Sequence, residues 1–363
     1  MSSVWGKHVT IDIFGESHGS HIGVVMNGLP SGIKLNTAAL QAFMDRRKAG
    51  GEAWSTKRRE PDRINIVSGY YNGHTTGTPL TMIIENTDTR SKDYDAGLNR
   101  PGHADYTGHA RYDGYNDPRG GGHFSGRLTA PLVFAGAVAA QALKASGIVA
   151  ATHILQIADA ADEKFDAADV PKALADKLKS SRFPLIDESR QADMEQRVLD
   201  AAQAGDSVGG AIECAICGMP AGVGSPMMAG VESRLSSLLF AIPAVKAVSF
   251  GEGTGFAQMR GSEANDAYTK DDNGIRTNTN HNGGVLGGIT SGMPVVFSVT
   301  VKPTPSVSVP QQTVTLDTGE AETIEIQGRH DPCIVPRAAA VVEAAAYLCA
   351  LDLMMERGAI RGL

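Results

Sequence analysis

Cysteine is scarce in this chain, with four in 363 residues. Cys214 and Cys217 have C-x-x-C spacing, but they fall in a strand-like run and no second pair follows at zinc spacing. No metal site is therefore expected, and the thiols read as buried groups of a reducing compartment. Basic charge is not in excess. The net charge is −7, which argues against nucleic acid as a partner. Met1–Lys7 lacks the apolar run of a secretory signal. The most apolar stretch, Leu128–Leu143, is short for a membrane span. A cytoplasmic protein with no membrane partner is expected. There is no G-x-G-x-x-G and no glycine-rich loop ending in Gly-Lys-Ser/Thr, which argues against a Rossmann dehydrogenase and a P-loop hydrolase.

Glycine, by contrast, is abundant at 42 residues. The stretch Arg100–Arg127 combines it with His103, His109, His123, Arg100, Arg111, Arg119 and Arg127. It has almost no aliphatic residue, so nothing in it can be buried at period 2 or 3.6. A long polar loop inside a folded domain is either functional or disordered. Its aromatics and the apolar segment that follows argue against disorder. Imidazoles, guanidiniums and backbone N–H groups freed by glycine suit a phosphate or carboxylate ligand.

The chain repeats itself in consistent order. Val24–Ile33 and Cys214–Val223 are each an apolar run followed by Gly-x-Pro-x-Gly. Thr75–Pro79 and Thr290–Pro294 each lead into a strand-like run. Apolar helical segments then follow Pro131 and Pro336. A helix that is apolar on all faces is buried on all sides, so sheets are expected to cover both. The fold class expected is α+β, with an internal duplication and buried central helices between two sheets. The chain reads as one domain over 1–363, with halves at roughly 1–150 and 205–363 and a charged helical excursion at 159–206.

Several motifs carry chemistry. Gly15-Glu-Ser-His-Gly19 has the spacing of a hydrolase nucleophile elbow, yet the residues after it continue as a strand. The alternative is a hairpin tip that directs Ser17 and His18 into a pocket, with His18 as a proton donor. Arg46-Arg47-Lys48 ends a helix that Asn36 or Thr37 could cap and Gly50 could close. With Lys57-Arg58-Arg59 nearby, it suggests an anion site. Gly120–Arg127 enters a buried helix, where glycine-freed N–H groups attract phosphate. Lys302–Ser306 ends a strand with hydroxyls and a cation. Asp331, before Pro332, is either a helix cap or a catalytic group.

Taken together, these motifs resemble the chorismate synthase family. Phe14–Gly19, Arg100–Tyr106, Arg119–Gly122, Gly205–Gly210, Gly287-Gly288, Lys302–Thr304 and Gly328–Cys333 match its pattern in order, over nearly the whole chain. The resemblance implies a β-α-β sandwich that forms a homotetramer. It also implies conversion of 5-enolpyruvylshikimate 3-phosphate to chorismate by 1,4-elimination of phosphate, dependent on reduced FMN.

The roles it implies fall on named residues. His18 would protonate the departing phosphate, and His103 would protonate or stabilise the reduced flavin. Asp331 would assist flavin N5 in removing the C6 proton, with Ser17 and Ser125 in support. FMN contacts would fall on His123, Phe124, Ser125, Pro243, Ala244, Gly287, Lys302, Pro303, Thr304, Pro305, Ser306 and Arg329. Arg46, Arg47, Arg58 and Arg127 would bind substrate or NADP. Many family members have Arg-Ser-Ser where this chain has His123-Phe124-Ser125, and Ala53 stands at the second basic position of the NADP pair. NADPH would then act only through a separate reductase that supplies the reduced flavin. The competing classes are a serine hydrolase using Ser17 and a non-catalytic flavin-binding protein.

Overall fold

The computed structural model describes residues 3–52, 54–55, 60–88, 97–271, 274–316, 318–326 and 331–358. The first sheet is built from β1 (Val4–Trp5), β2 (Thr10–Gly15), β3 (His21–Asn27), β4 (Asn65–Ser68) and β5 (Leu80–Glu85). Its spatial order is β1-β2-β3-β5-β4, and every pairing is antiparallel. Ile22, Val24 and Met26 alternate into the core, as do Leu80, Met82 and Ile84, which is the period-2 pattern of a half-buried sheet. Helix α1 (Thr37–Arg47) lies between β3 and β4 in the chain. Asn36 caps it by accepting the Ala39 N–H at 3.1 Å, and it stops at Lys48, before Gly50. Helix α2 (Asp105–Arg111) and α3 (Thr129–Leu143) follow.

The second sheet comprises β6 (Val149–Ile157), β7 (Ala160–Ala161), β8 (Gly210–Cys217), β9 (Val245–Phe250) and β10 (Val295–Val301), in the order β9-β10-β8-β6-β7. Helix α6 (Val231–Leu239) precedes β9, and α7 (Val335–Glu356) follows β10. The strand order β2-β3-β5-β4 thus recurs as β6-β8-β10-β9, with a helix at the same points of the chain. The repeated turns are also wired alike. Thr75 Oγ1 donates to the Pro30 carbonyl (2.7 Å) and accepts the Ile33 N–H (3.0 Å). Thr290 Oγ1 does the same with Pro220 (2.6 Å) and Val223 (2.9 Å).

Helices α3 and α7 fill the space between the sheets and are buried along most of their length. The continuous helical segment around α3, Gly126–Ser146, and α7 are each long and apolar enough to cross a membrane. Here protein covers them, as expected of core helices. They meet at Gly136, where a Cβ would overlap the backbone of Ala344. The excursion between β7 and β8 is less solvated than its charge suggests. Helices α4 (Lys172–Ser180) and α5 (Gln191–Gln203) each bury an apolar stripe, Ala175 and Leu178 on one and Met194 and Val198 on the other. Helix α4 covers the outer face of the second sheet, against Ala151, Ala215 and Val296.

Candidate active site

Gly15–Gly19 forms the tip of the β2–β3 hairpin, not a strand-to-helix elbow. This removes the geometry a hydrolase nucleophile needs. Gly15 has φ +97°, and a Cβ there would overlap the His21 carbonyl, so the turn needs glycine. Ser17 has no exposure and His18 only 9 %. The Ser17 N–H donates to the Gly122 carbonyl at 3.0 Å. Its hydroxyl is buried with no partner among the described residues.

The loop Gly120–Gly122 runs through three positive φ values, +61°, +82° and +52°, a path that glycine follows at no steric cost. The two expected histidines rest on consecutive glycines of this loop. A Cβ on Gly120 would lie 2.5 Å from His18 Nε2, and one on Gly121 would lie 3.2 Å from His103 Nε2 and 3.8 Å from Ser125 Cβ. Ser125 Oγ accepts the Arg127 N–H at 3.2 Å and so caps the turn that opens α3. His123 anchors the loop from behind, with Nδ1 2.8 Å from the Gly15 carbonyl. Phe124 packs against Tyr112, with ring centroids 6.4 Å apart.

His103 is held from its own segment. Its Nδ1 is 2.7 Å from Asp105 Oδ1. Arg100 grips both oxygens of that carboxylate, each at 2.7 Å. Burial would raise the Asp105 pKa, but the hydrogen bonds from Arg100 and His103 outweigh it and hold the carboxyl well below the ordinary range.

The second half of the chain supplies the facing loop. Lys302 Nζ donates to the Gly102 carbonyl, and Arg100 Nη1 reaches Ser306 Oγ at 3.5 Å. The Lys302 N–H donates to the carbonyl of Ala244 (2.9 Å), which places the Pro243-Ala244 turn beside this loop. The Thr304 hydroxyl is buried and unpartnered among the described residues. Partial burial, aided by Lys246, lowers the pKa of Lys302. Gly287 lies in the turn of the Val285–Leu286/Ile289–Thr290 hairpin. None of the described contacts joins it to the histidines.

Beneath the glycine loop lies a buried charge network. Asp62, with no exposure, bridges Arg47 (3.1 Å) and Arg127. Arg47 also donates to the Gly126 carbonyl (3.2 Å) and to Thr129 Oγ1 (3.0 Å). Burial lowers the Arg47 pKa to about 10 despite Asp62, which leaves it cationic near neutrality. Arg127 Nε donates to Asn86 Oδ1 (2.9 Å). Asn86 in turn donates to the carbonyls of Glu16 and Gly19, which ties the hairpin tip to α3.

Asp331 joins the same network from the segment that precedes α7. Its carboxylate pairs with Arg337, whose Nε donates to the Arg47 carbonyl at 2.9 Å. Asp331 is not the cap of α7. That position is Ile334, with no side-chain capping bond. Arg46 turns elsewhere and pairs with the buried Glu343 at 2.6 Å. Arg58, Arg329 and Ala53 lie outside the described residues. The sequence reading did not single out Asp62, Asn86, Asp105 or Arg337. Arg337 left one signal, a guanidinium in the first turn of a largely apolar helix, which must find a partner.

The chorismate synthase family profile matches residues 9–355. Proteins named chorismate synthase align over almost the full length. The one from Dehalococcoides mccartyi is 43 % identical over 99 % of this chain and 98 % of its own. That from Thermococcus gammatolerans is 44 % identical over 99 % of both. That from Methanothermobacter thermautotrophicus is 42 % identical over 98 % of this chain and 94 % of its own. A chorismate synthase crystal structure superposes with a TM-score of 0.78 over 97 % of this chain and 93 % of that one, at 24 % identity. This likeness speaks to the fold.

Proposed function

Since the chain belongs to the chorismate synthase family, a carbon–oxygen lyase that releases phosphate from 5-enolpyruvylshikimate 3-phosphate on the route to the aromatic amino acids, we propose how its residues divide that work. The observation that carries the assignment is the seating of His18 and His103 on Gly120 and Gly121. Two groups able to hold a proton near neutral pH thereby face one space. Reduced FMN fits the residues around that space. The Ser17 and Thr304 hydroxyls are buried without partners among the described residues.

Residues His123–Ser125, Pro243, Ala244, Gly287, Lys302–Ser306 and Arg329 hold the flavin. When bound, reduced flavin supplies electron density as the C–O bond breaks. His18 gives its Nε2 proton to the departing phosphate. His103 holds a proton toward the flavin. Asp331, steadied by Arg337, accepts the proton lost from substrate carbon. Arg127 and Arg47 lend positive potential from below to a substrate carrying a phosphate and two carboxylates. Arg47 is committed to Gly126, Thr129 and Asp62. This supports supply of reduced flavin by a separate reductase over direct NADPH binding.

A homotetramer is supported by the first sheet's outer face. Among the described residues no helix covers it, and Phe14 there is 37 % exposed. A cytoplasmic setting is supported by the four free cysteines.

The test is anaerobic phosphate release from the substrate, with and without dithionite-reduced FMN. Release is expected only with reduced FMN. His18→Ala and His103→Ala should each lower turnover by about 10²–10⁴-fold with the fold intact. Release without flavin, or both variants within about threefold of wild type, well short of a general-acid loss, would overturn the assignment.

A further inference from the structure

We propose that Asp105 is a positioning residue that pins a proton on His103 Nδ1, so that every proton His103 exchanges in the reaction passes through Nε2. The inference rests on the reading that His103 holds a proton toward the flavin. The geometry allows two arrangements, because His103 Nδ1 is 2.7 Å from Asp105 Oδ1 and 3.1 Å from Arg100 Nη2. If Nδ1 accepted from Arg100, its lone pair would face a carboxylate oxygen at 2.7 Å, and an ionised carboxylate only accepts. If Nδ1 carries the proton, it donates to Oδ1. The Arg100 Nη2–H is then satisfied by that same oxygen at 2.7 Å. The second arrangement leaves no lone pairs opposed.

Asp105 is itself locked. Its Oδ2 accepts from Arg100 Nε (2.7 Å) and from the Arg100 backbone N–H (3.1 Å). The acidity already described for this carboxyl keeps it from taking the proton. The opposite nitrogen faces the loop, 3.2 Å from where a Gly121 Cβ would lie. Charges reach His103 from three sides. Arg100 and Asp105 lie on its own segment, Lys302 stands on the Gly102 carbonyl, and His18 lies one glycine away across the loop. The glycine loop and Ser125 contribute no charge. Arg100 also reaches Ser306, so the clamp on the imidazole is shared with the flavin-holding loop.

Asp105→Asn separates positioning from bulk. Arg100 requires the amide oxygen, which turns the amide N–H₂ toward Nδ1. The imidazole is then driven to the Nε2–H tautomer. The experiment uses full-length protein with ¹⁵N-labelled histidine, and the His103 signals are assigned by their loss in His103→Gln. The expected result is an Nδ1–H neutral form in wild type and an Nε2–H form in Asp105→Asn. Turnover should drop by about 10²-fold or more, as for a lost general acid. Asp105→Glu should restore the wild-type tautomer at least in part. An Nε2–H tautomer in wild type overturns the proposal even if no variant folds. An unchanged tautomer in Asp105→Asn overturns it as well. A switched tautomer with unchanged turnover upholds the grip of Asp105 on His103. It overturns instead the reading of His103 as a proton carrier.

Discussion

The active-site geometry depends on groups with no side chain. Gly120 has φ +61°, and a Cβ there would press on His18 Nε2. Gly120→Ala should displace the imidazole and cost turnover about as much as losing a general acid, near 10²-fold, while circular dichroism reports an intact fold. Wild-type turnover in that variant would mean the ring does not need its seat. Asp331→Asn tests a different point. With Ile334 as the cap, the change leaves the helix start alone, and the amide can still accept from Arg337. Turnover should fall by about 10²-fold or more, with flavin binding and the melting temperature little altered. Normal turnover would leave Asp331 only a partner for Arg337. The histidines and glycines of Arg100–Arg127 were readable from sequence because they stand in a stretch with almost nothing to bury. Asp62 and Asn86 were not. Their partners lie 65 and 41 residues away along the chain, and an isolated Asp or Asn leaves no periodic trace.

At the level of helices and strands, the two apolar segments declared their burial, since neither had a polar face. The excursion hides its buried side for the converse reason. Its charges lie on one side of each helix, and the apolar stripe opposite covers a sheet. Beneath it His153, fully buried, sits between Asp162 (3.0 Å) and Glu213 (2.9 Å). Burial would lower its pKa, but the two carboxylates outweigh this and raise it above the usual 6.5. Below about pH 6.5 the folded and unfolded chains both carry this proton, and the stabilisation is complete. As pH rises through the raised value the folded chain loses the proton, and the stabilisation goes with it. The melting temperature of wild type should therefore fall with pH above about 6.5. His153→Gln should lack that fall, and equal slopes in melts from acid to alkaline pH would refute the assignment. At the crossing of α3 and α7, Gly136→Val should destabilise by about 1–3 kcal/mol or more through overpacking, measured by denaturant unfolding.

For the molecule as a whole, the sequence exposed the symmetry through its turns. Gly-x-Pro-x-Gly and Thr-x-Gly-x-Pro recur because the first turn is tied by the threonine hydroxyl of the second, and the two halves make the same bonds. Thr75→Val and Thr290→Val should thus cost similar amounts, about 1–3 kcal/mol each for the stranded carbonyl and N–H. Markedly unequal unfolding midpoints would show that the halves are alike in shape only. What the sequence could not display was the contact itself, Lys302 of one half seated on the Gly102 carbonyl beside His103 of the other. That is a property of how the sheets close on each other. The same closure has a consequence for biosynthesis. Both sheets and α3 precede α7 in the chain, so a ribosome makes the walls before the helix that fills the space between them. Until α7 emerges, α3 has one apolar side without cover, the kind of transient surface that aggregates or engages chaperones. The molecule is completed from the outside inward, and its most vulnerable form is the nascent chain that lacks only its centre.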